Sequence, residues 1–190
     1  MAKSASAGFL IEQQVCVQCG FCCDGTLFTH AHLFTGEYPS LPPLIKEKYR
    51  KQGEDESFEL GCPCFSGKCT IYDQNKPDIC STFRCKALKR MSKGEISPAE
   101  AITAIARFKV WRQEIFELYA TIFARSYSSS FWDLLLELPG LYKPDDENEL
   151  RDARIDMLVM KCGLLDAALT KYFKSDGAFQ DLLKIEALNK

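Results

Sequence analysis

The sequence predicts a mostly α chain: a small, irregular, metal-organised cysteine module with few short strands, followed by a helical bundle. Three observations predict it. Nine of the ten cysteines fall between Cys16 and Cys85, and only Cys162 lies beyond them. Glycines and prolines break up that same segment, which leaves little room for regular structure. From Ser97 onward, apolar residues recur every three or four positions, the period of an amphipathic helix. The expected organisation is a cysteine-cluster metal-binding module over residues 1–95 and a helical region over 96–190 packed on it.

The elements follow in order. A short strand or turn is expected around Gly25–Phe28, and a proline-initiated helix from Pro42–Pro43 to about Gln52. Gly53–Glu56 reads as a polar, acidic loop, and Cys69–Tyr72 as an extended piece. Gly61, Pro63, Gly67 and Pro77 punctuate the second half of the module, so its cysteines are expected on loops. Ser97-Pro98-Ala99-Glu100 is a helix start, with serine as N-cap, proline at the first position and glutamate reaching back to the cap amide. Ile102, Ile105, Phe108, Trp111, Ile115, Leu118 and Ile122 then mark one face of a long helix ending near Arg125. Ser128–Ser130 cap a short helix over Phe131–Leu138, stopped by Pro139-Gly140. Pro144, Asp145 and Asp146 open the next helix, whose apolar face runs Ile155, Leu158, Val159, Cys162, Leu165, Leu169 and Tyr172. A last helix is expected from Phe179 to about Leu188.

Composition bounds the function. With 190 residues, 46% of them apolar, the chain can bury a sizeable core. A net charge of −2 provides no global field for nucleic acid or an anionic membrane surface. No run approaches the ~20 apolar residues of a membrane span. Residues 1–15 hold only the patch Phe9-Leu10-Ile11, too short and too early for a secretory signal. The expected compartment is therefore the cytoplasm, where disulfides do not persist and clustered cysteines read as metal binding or redox chemistry.

The first motif is Cys16-x-x-Cys19-Gly20-Phe21-Cys22-Cys23. Two-residue gaps let the chain curl so that successive thiolates turn toward one point, and Gly20 permits the positive φ that such a curl uses. Cys16, Cys19 and Cys22 match the tight run of bacterial ferredoxins, and Cys62-Pro63 is a distant analogue of their proline-followed fourth ligand. The second group is Cys62-Pro63-Cys64, Cys69-Thr70-Ile71-Tyr72, Lys76-Pro77-Asp78-Ile79-Cys80, and Cys85. That makes more thiols than one tetrahedral site uses, so either two sites exist or the spare thiols serve redox or catalytic work. Arg84, Lys86, Lys89 and Arg90 lie close enough in sequence to offset the charge of a four-thiolate site, although they also read as a solvated helix face.

These motifs resemble the YkgJ-type cysteine-cluster family, a zinc- or iron-chelating domain with a CxxCxxCC signature. The resemblance covers about residues 12–95. It rests on Cys16–Cys23, the following Asp24-Gly25-Thr26-Leu27-Phe28, Cys62-Pro63, Gly67-x-Cys69-x-Ile71-Tyr72, and Cys80-x-x-Phe83. It implies metal ligation by Cys16, Cys19, Cys22, Cys23, Cys62, Cys69 and Cys80, with Cys85 joining them. Two departures stand out: Lys76 occupies a position that is usually arginine, and Cys64 stands where an apolar residue is expected. A flagellin lysine methylase is similar in this cluster, which leaves an enzymatic role open.

The lesser candidates read as structure. His30-x-His32 fits a half-exposed strand edge better than a ligand pair. Cys162 lies on the apolar stripe of its helix, where a thiol behaves as a small hydrophobe. Phe108, Trp111, Phe116, Tyr119 and Phe123 fall at helical spacing and read as core. No dinucleotide, P-loop, zincin or nucleophile-elbow motif is present, and nothing marks a nucleotide or S-adenosylmethionine pocket. Three readings remain: an iron–sulfur protein with a redox or protein-modification role, a zinc-organised interaction module without catalysis, and a lysine-methylase-like enzyme. The tight C-x2-C-x2-C run favours an iron–sulfur cluster, with [4Fe–4S] as the candidate type, because zinc sites more typically pair two separated C-x2-C knuckles. The substrate or protein partner is not legible.

Overall fold

The computed structural model describes residues 11–127, 130–141 and 153–174. The helix start at Pro144–Asp146, the last helix at 179–188, and Ser128 with Ser129 lie outside the described residues. Among the described residues are seven α-helices and one antiparallel sheet. The helices are α1 Ile11–Cys19, α2 Pro43–Lys46, α3 Asp78–Thr82, α4 Lys86–Ser92, α5 Pro98–Phe123, α6 Phe131–Leu141 and α7 Ala153–Tyr172. The strands are β1 His30–His32, β2 Tyr49–Gln52 and β3 Asp55–Glu59, in the order β1-β3-β2. The mostly α class holds, with the strands confined to the cysteine-rich half.

Several expected boundaries move. The helix expected from Pro42 to Gln52 is a single turn, after which Tyr49–Gln52 pair with Asp55–Phe58 as a hairpin. Gly53 at φ +62° opens the two-residue connection between paired Gln52 and Asp55, so the expected acidic loop is a tight turn and the start of β3. Gly25–Phe28 is a turn, with the amides of Thr26 and Leu27 both donating to the Phe21 carbonyl, and the strand begins at His30. Cys69 makes one isolated bridge to Phe65, and the chain then turns rather than extending. The second-group cysteines are not all on loops, since Cys80 lies within α3 and Cys85 is the N-cap of α4.

The helical half follows its periodicity closely. Ser97 and Glu100 close a reciprocal capping box at the start of α5, which ends at Phe123 with Ala124 left-handed at φ 51°. Ile102 is exposed, and Ala101, one residue earlier, takes the buried position on that face. Ser130 and Asp133 cap α6, which runs through Pro139 to Leu141 instead of stopping at Leu138. Proline lacks the amide that would bond to Leu135 four residues back, a loss confined here to the last turn. On α7, Leu158, Cys162, Leu165 and Leu169 are buried as the stripe predicts.

Two cores result. The larger draws Val15, Phe21 and Leu27 of the first cysteine motif together with α4, α5, α6 and α7. It therefore crosses residue 95, and Phe21 meets Phe173 edge-on with ring centroids 5.4 Å apart. The smaller core holds Leu41, Ile45, Phe58 and Cys64 beneath the sheet. The cysteines lie where the two cores adjoin: Cys19, Cys22 and Cys85 pack on the first, and Cys62 on the second.

Candidate metal centre

The first motif begins on a helix. Cys16 and Cys19 are three residues apart on α1 and so share one of its faces, while Val15 anchors the helix in the core. The Gly20 amide returns to the Cys16 carbonyl at 3.3 Å and ends the helix. Gly20 has φ +73°, and the Phe65 ring occupies the space that a Cβ there would need. Glycine is thus required twice over, by backbone conformation and by close approach. The chain then tightens through Asp24 N–H to Gly20 C=O at 2.9 Å and Gly25 N–H to Cys22 C=O at 3.5 Å.

Helix α5 grips this loop from the other half of the chain. Arg112 donates to Asp24 Oδ2 at 2.5 Å and also to the Thr26 hydroxyl, and Lys109 donates to the Gln18 carbonyl at 2.7 Å. The second cysteine group joins through backbone: the Cys62 amide donates to the Cys23 carbonyl at 2.7 Å. Thr70 then bonds to the Cys64 carbonyl through both its amide, at 2.9 Å, and its hydroxyl, at 3.0 Å, which folds Cys69 back toward Cys62.

A cavity of about 40 Å3 lies at the inner face of the first motif. Cys16, Cys19, Cys22, Cys23 and Cys85 line it together with apolar side chains that include Val15, Phe21 and Leu27. All ten cysteines are free thiols. Among the described residues, no group of three or more His, Cys, Asp or Glu side chains is arranged closely enough to hold a metal ion as it stands. The thiols are neighbours rather than a closed coordination sphere.

Their electrostatics follow from that placement. Burial pushes Cys19 up to about 12, opposed by the Phe21 amide and reinforced by Cys85 and Cys16. Burial also raises Cys22, with Cys19, Cys16, Cys23 and Cys85 adding to the shift. Cys23 is raised by burial and then by Cys62 and Cys80. Burial brings Cys80 up to about 12, with Cys62 and Cys69 contributing, and Cys62 to about 11. By surface area Cys16 and Cys80 are exposed, yet crowding by surrounding atoms is still the leading cause of the upward shift in each. A set of thiols that burial and mutual repulsion hold neutral is a poor anion site. A bound thiophilic cation would deprotonate its ligands and offset their mutual repulsion, though not their burial. Sulfur is the donor a thiophilic metal takes, but the thiols as placed close no coordination sphere.

Of the cations expected from sequence, three are engaged elsewhere. Arg84 pairs with Glu12, Lys86 donates to the Thr170 carbonyl at 3.1 Å, and Arg90 bonds to Glu95 at 3.4 Å. Burial raises the Cys85 thiol, and the amides of Leu88 and Ala87 and then the charge of Lys89 oppose that rise. The larger omission is Lys76. It lies 3.6 Å from the centroid of the Tyr72 ring and opposes the upward shifts of both Cys16 and Cys80. Its position just before Pro77, between two cysteines, was the available signal. Arg112 had none, because its helix reads as a separate region.

The remaining candidates are structural. His30 and His32 stand on the exposed edge strand, His30 against Thr29 and His32 against Asp55, both at 2.8 Å. Cys162 is fully buried in the larger core, and Cys64 fills the apolar position of the smaller one. No helix among the described residues is long and apolar enough to cross a membrane. Comparison with protein-family models, curated proteins and solved structures finds no match to this chain.

Proposed function

We propose that this chain is a cysteine-ligated metal protein of the cytoplasm, holding an iron–sulfur cluster through Cys16, Cys19, Cys22 and Cys85. The observation that carries the reading is the thiol-lined cavity, to which α1, the following turn and the N-cap of α4 each contribute cysteine. The resemblance to the YkgJ-type family supports the same residues, on the strength of its motifs alone. A bound cluster supplies one-electron transfer or an electrophilic iron, the chemistry behind a redox or protein-modification role. The chain's own contribution is positioning and charge. Val15 and Phe21 fix the motif in the core, and Lys89 partly opposes the upward shift that burial imposes on Cys85.

Purification without oxygen tests the reading. Brown protein with bound iron and acid-labile sulfide is the expected result. Colourless protein with stoichiometric zinc transfers the site to the zinc-organised, non-catalytic reading. Protein with neither metal ends the metal reading altogether.

A further inference from the structure

Helix α5 carries a groove on its outer surface, lined by Ala106, Arg107, Val110, Trp111 and Glu114. Arg107, Val110, Trp111 and Glu114 follow one another at three, one and three residues, which is a single helix face two turns long. Trp111 closes its inner edge, packed against the larger core. Val110 is 60% exposed, so the middle of the face is an aliphatic side chain standing in water. Glu114 reaches Lys161 of α7 at 3.9 Å, which brings the neighbouring face of α7 to the rim of the groove. Beside Lys161 on α7 are Met157, Met160 and Leu164, spaced by three and four residues and all exposed. Large apolar side chains left in water on two adjoining helices mark an interaction surface. Among the described residues Arg107 has no ion-pair partner, and Glu114 has only Lys161.

We infer that this face binds a second copy of the chain, across a two-fold axis passing between Val110 and Trp111. The order of charges along α5 selects that occupant. A two-fold interface presents the same patch from both copies, so residues equally far on either side of the axis meet each other. Arg107 lies as far before the midpoint of Val110 and Trp111 as Glu114 lies after it. With the two α5 helices antiparallel, Arg107 of each copy therefore meets Glu114 of the other, twice per dimer. Parallel helices in the same register instead set Arg107 against Arg107 and Glu114 against Glu114, which like-charge repulsion disfavours. Val110 of each copy lies at the centre and is withdrawn from water. Glu114 ends up between Lys161 of its own chain and Arg107 of the other. Met157 and Met160 flank the seam, where flexible thioether side chains can fit themselves to the facing copy. None of these residues is a cysteine, so the inference stands apart from the metal reading.

Sedimentation equilibrium of the full chain tests the pairing, with the protein kept reduced so that its free thiols cannot link copies. Circular dichroism checks that each variant keeps its helices. The native chain is expected to dimerise reversibly as its concentration rises. Arg107→Glu and Glu114→Arg, made singly, each bring like charges together twice and weaken the dimer roughly tenfold or more. Both substitutions in one chain exchange the charges and restore the dimer. Arg107 and Glu114 are about 10 Å apart along their own helix, so the restoration cannot arise from a pair within one copy. Val110→Lys, at a side chain already in water, gives a monomer whose thermal midpoint matches that of the native chain. A native chain that stays monomeric up to about 1 mM overturns the proposal. So does a dimer that Val110→Lys leaves intact, because it is then formed by another face. A folded double variant that fails to recover the dimer overturns the antiparallel pairing of Arg107 with Glu114.

Discussion

Arg112, in the middle of α5, holds Asp24, the residue directly after the first cysteine motif, in a 2.5 Å ion pair. Both side chains are largely withdrawn from solvent, at 20% and 16% exposure, and Asp24 also accepts from the Thr26 amide at 3.0 Å. Screening by water is weak there, so the pair is worth more than a surface salt bridge. Arg112→Met keeps the stem of the side chain and leaves the carboxylate without its cation. The expected cost is about 1–3 kcal/mol in urea unfolding, together with faster loss of metal to a chelator. Unchanged unfolding and chelation rates mean that α5 does not hold the cysteine loop.

Gly20 gives a second handle on the same loop. An alanine there enters the left-handed region at a cost of about 1–2 kcal/mol, and its methyl meets the Phe65 ring. Gly20→Ala is therefore expected to lower the thermal midpoint by more than the backbone term alone explains. Adding Phe65→Leu removes the ring from the methyl's path, so the double variant recovers part of the loss relative to what the two single variants sum to. Strict additivity in the double-mutant cycle refutes the contact.

Cys162 supplies the contrast to the cysteines proposed as ligands, because no other thiol acts on it. It is fully buried, and burial alone pushes its thiol up to about 12. At pH 8 it stays neutral and closed to iodoacetamide until the protein unfolds, which mass spectrometry of alkylated peptides reads directly. Cys162→Ala leaves metal content unchanged and costs about 1 kcal/mol through a small cavity. The unfolded chain gives up this proton near the ordinary thiol value of 9.0, and the folded chain keeps it. The cysteine's favourable contribution is thus whole below about pH 9 and declines as pH rises toward about 12. Loss of metal in Cys162→Ala, or rapid native-state alkylation, contradicts this placement.

The features legible in sequence are those that depend on neighbours along the chain. Ser97 and Glu100 write a capping box into four residues, and the spacing of Leu158, Cys162, Leu165 and Leu169 places Cys162 in the core without reference to any other element. The errors fall where distant contacts decide. Tyr49–Gln52 could continue a helix on local grounds, but pairing with β3 draws them into a strand. Ile102 fits the apolar spacing, yet the facing surface buries Ala101 instead. The site divides in the same way. Cys16, Cys19 and Cys22 announce themselves by spacing, whereas the attachment of Cys62 to Cys23 and the grip of Arg112 on Asp24 join residues far apart in sequence. The position of Lys76 beside two thiols likewise depends on how the loops fold back.

The edge-on contact of Phe21 with Phe173 sets an order of events during synthesis. Phe21 leaves the ribosome early and Phe173 late, separated by nearly the whole described chain, and the Lys86 amide bonds to the Phe173 carbonyl at 2.9 Å. Chain closure of this length is slow, because its entropy must be lost before the contact compensates. Until α7 emerges, the wall behind the first cysteine motif is incomplete and its sulfurs face water. The nascent chain therefore passes through an interval in which its thiols are most open to oxidation. Under the proposed metal reading, delivery of the metal is best timed to the arrival of α7.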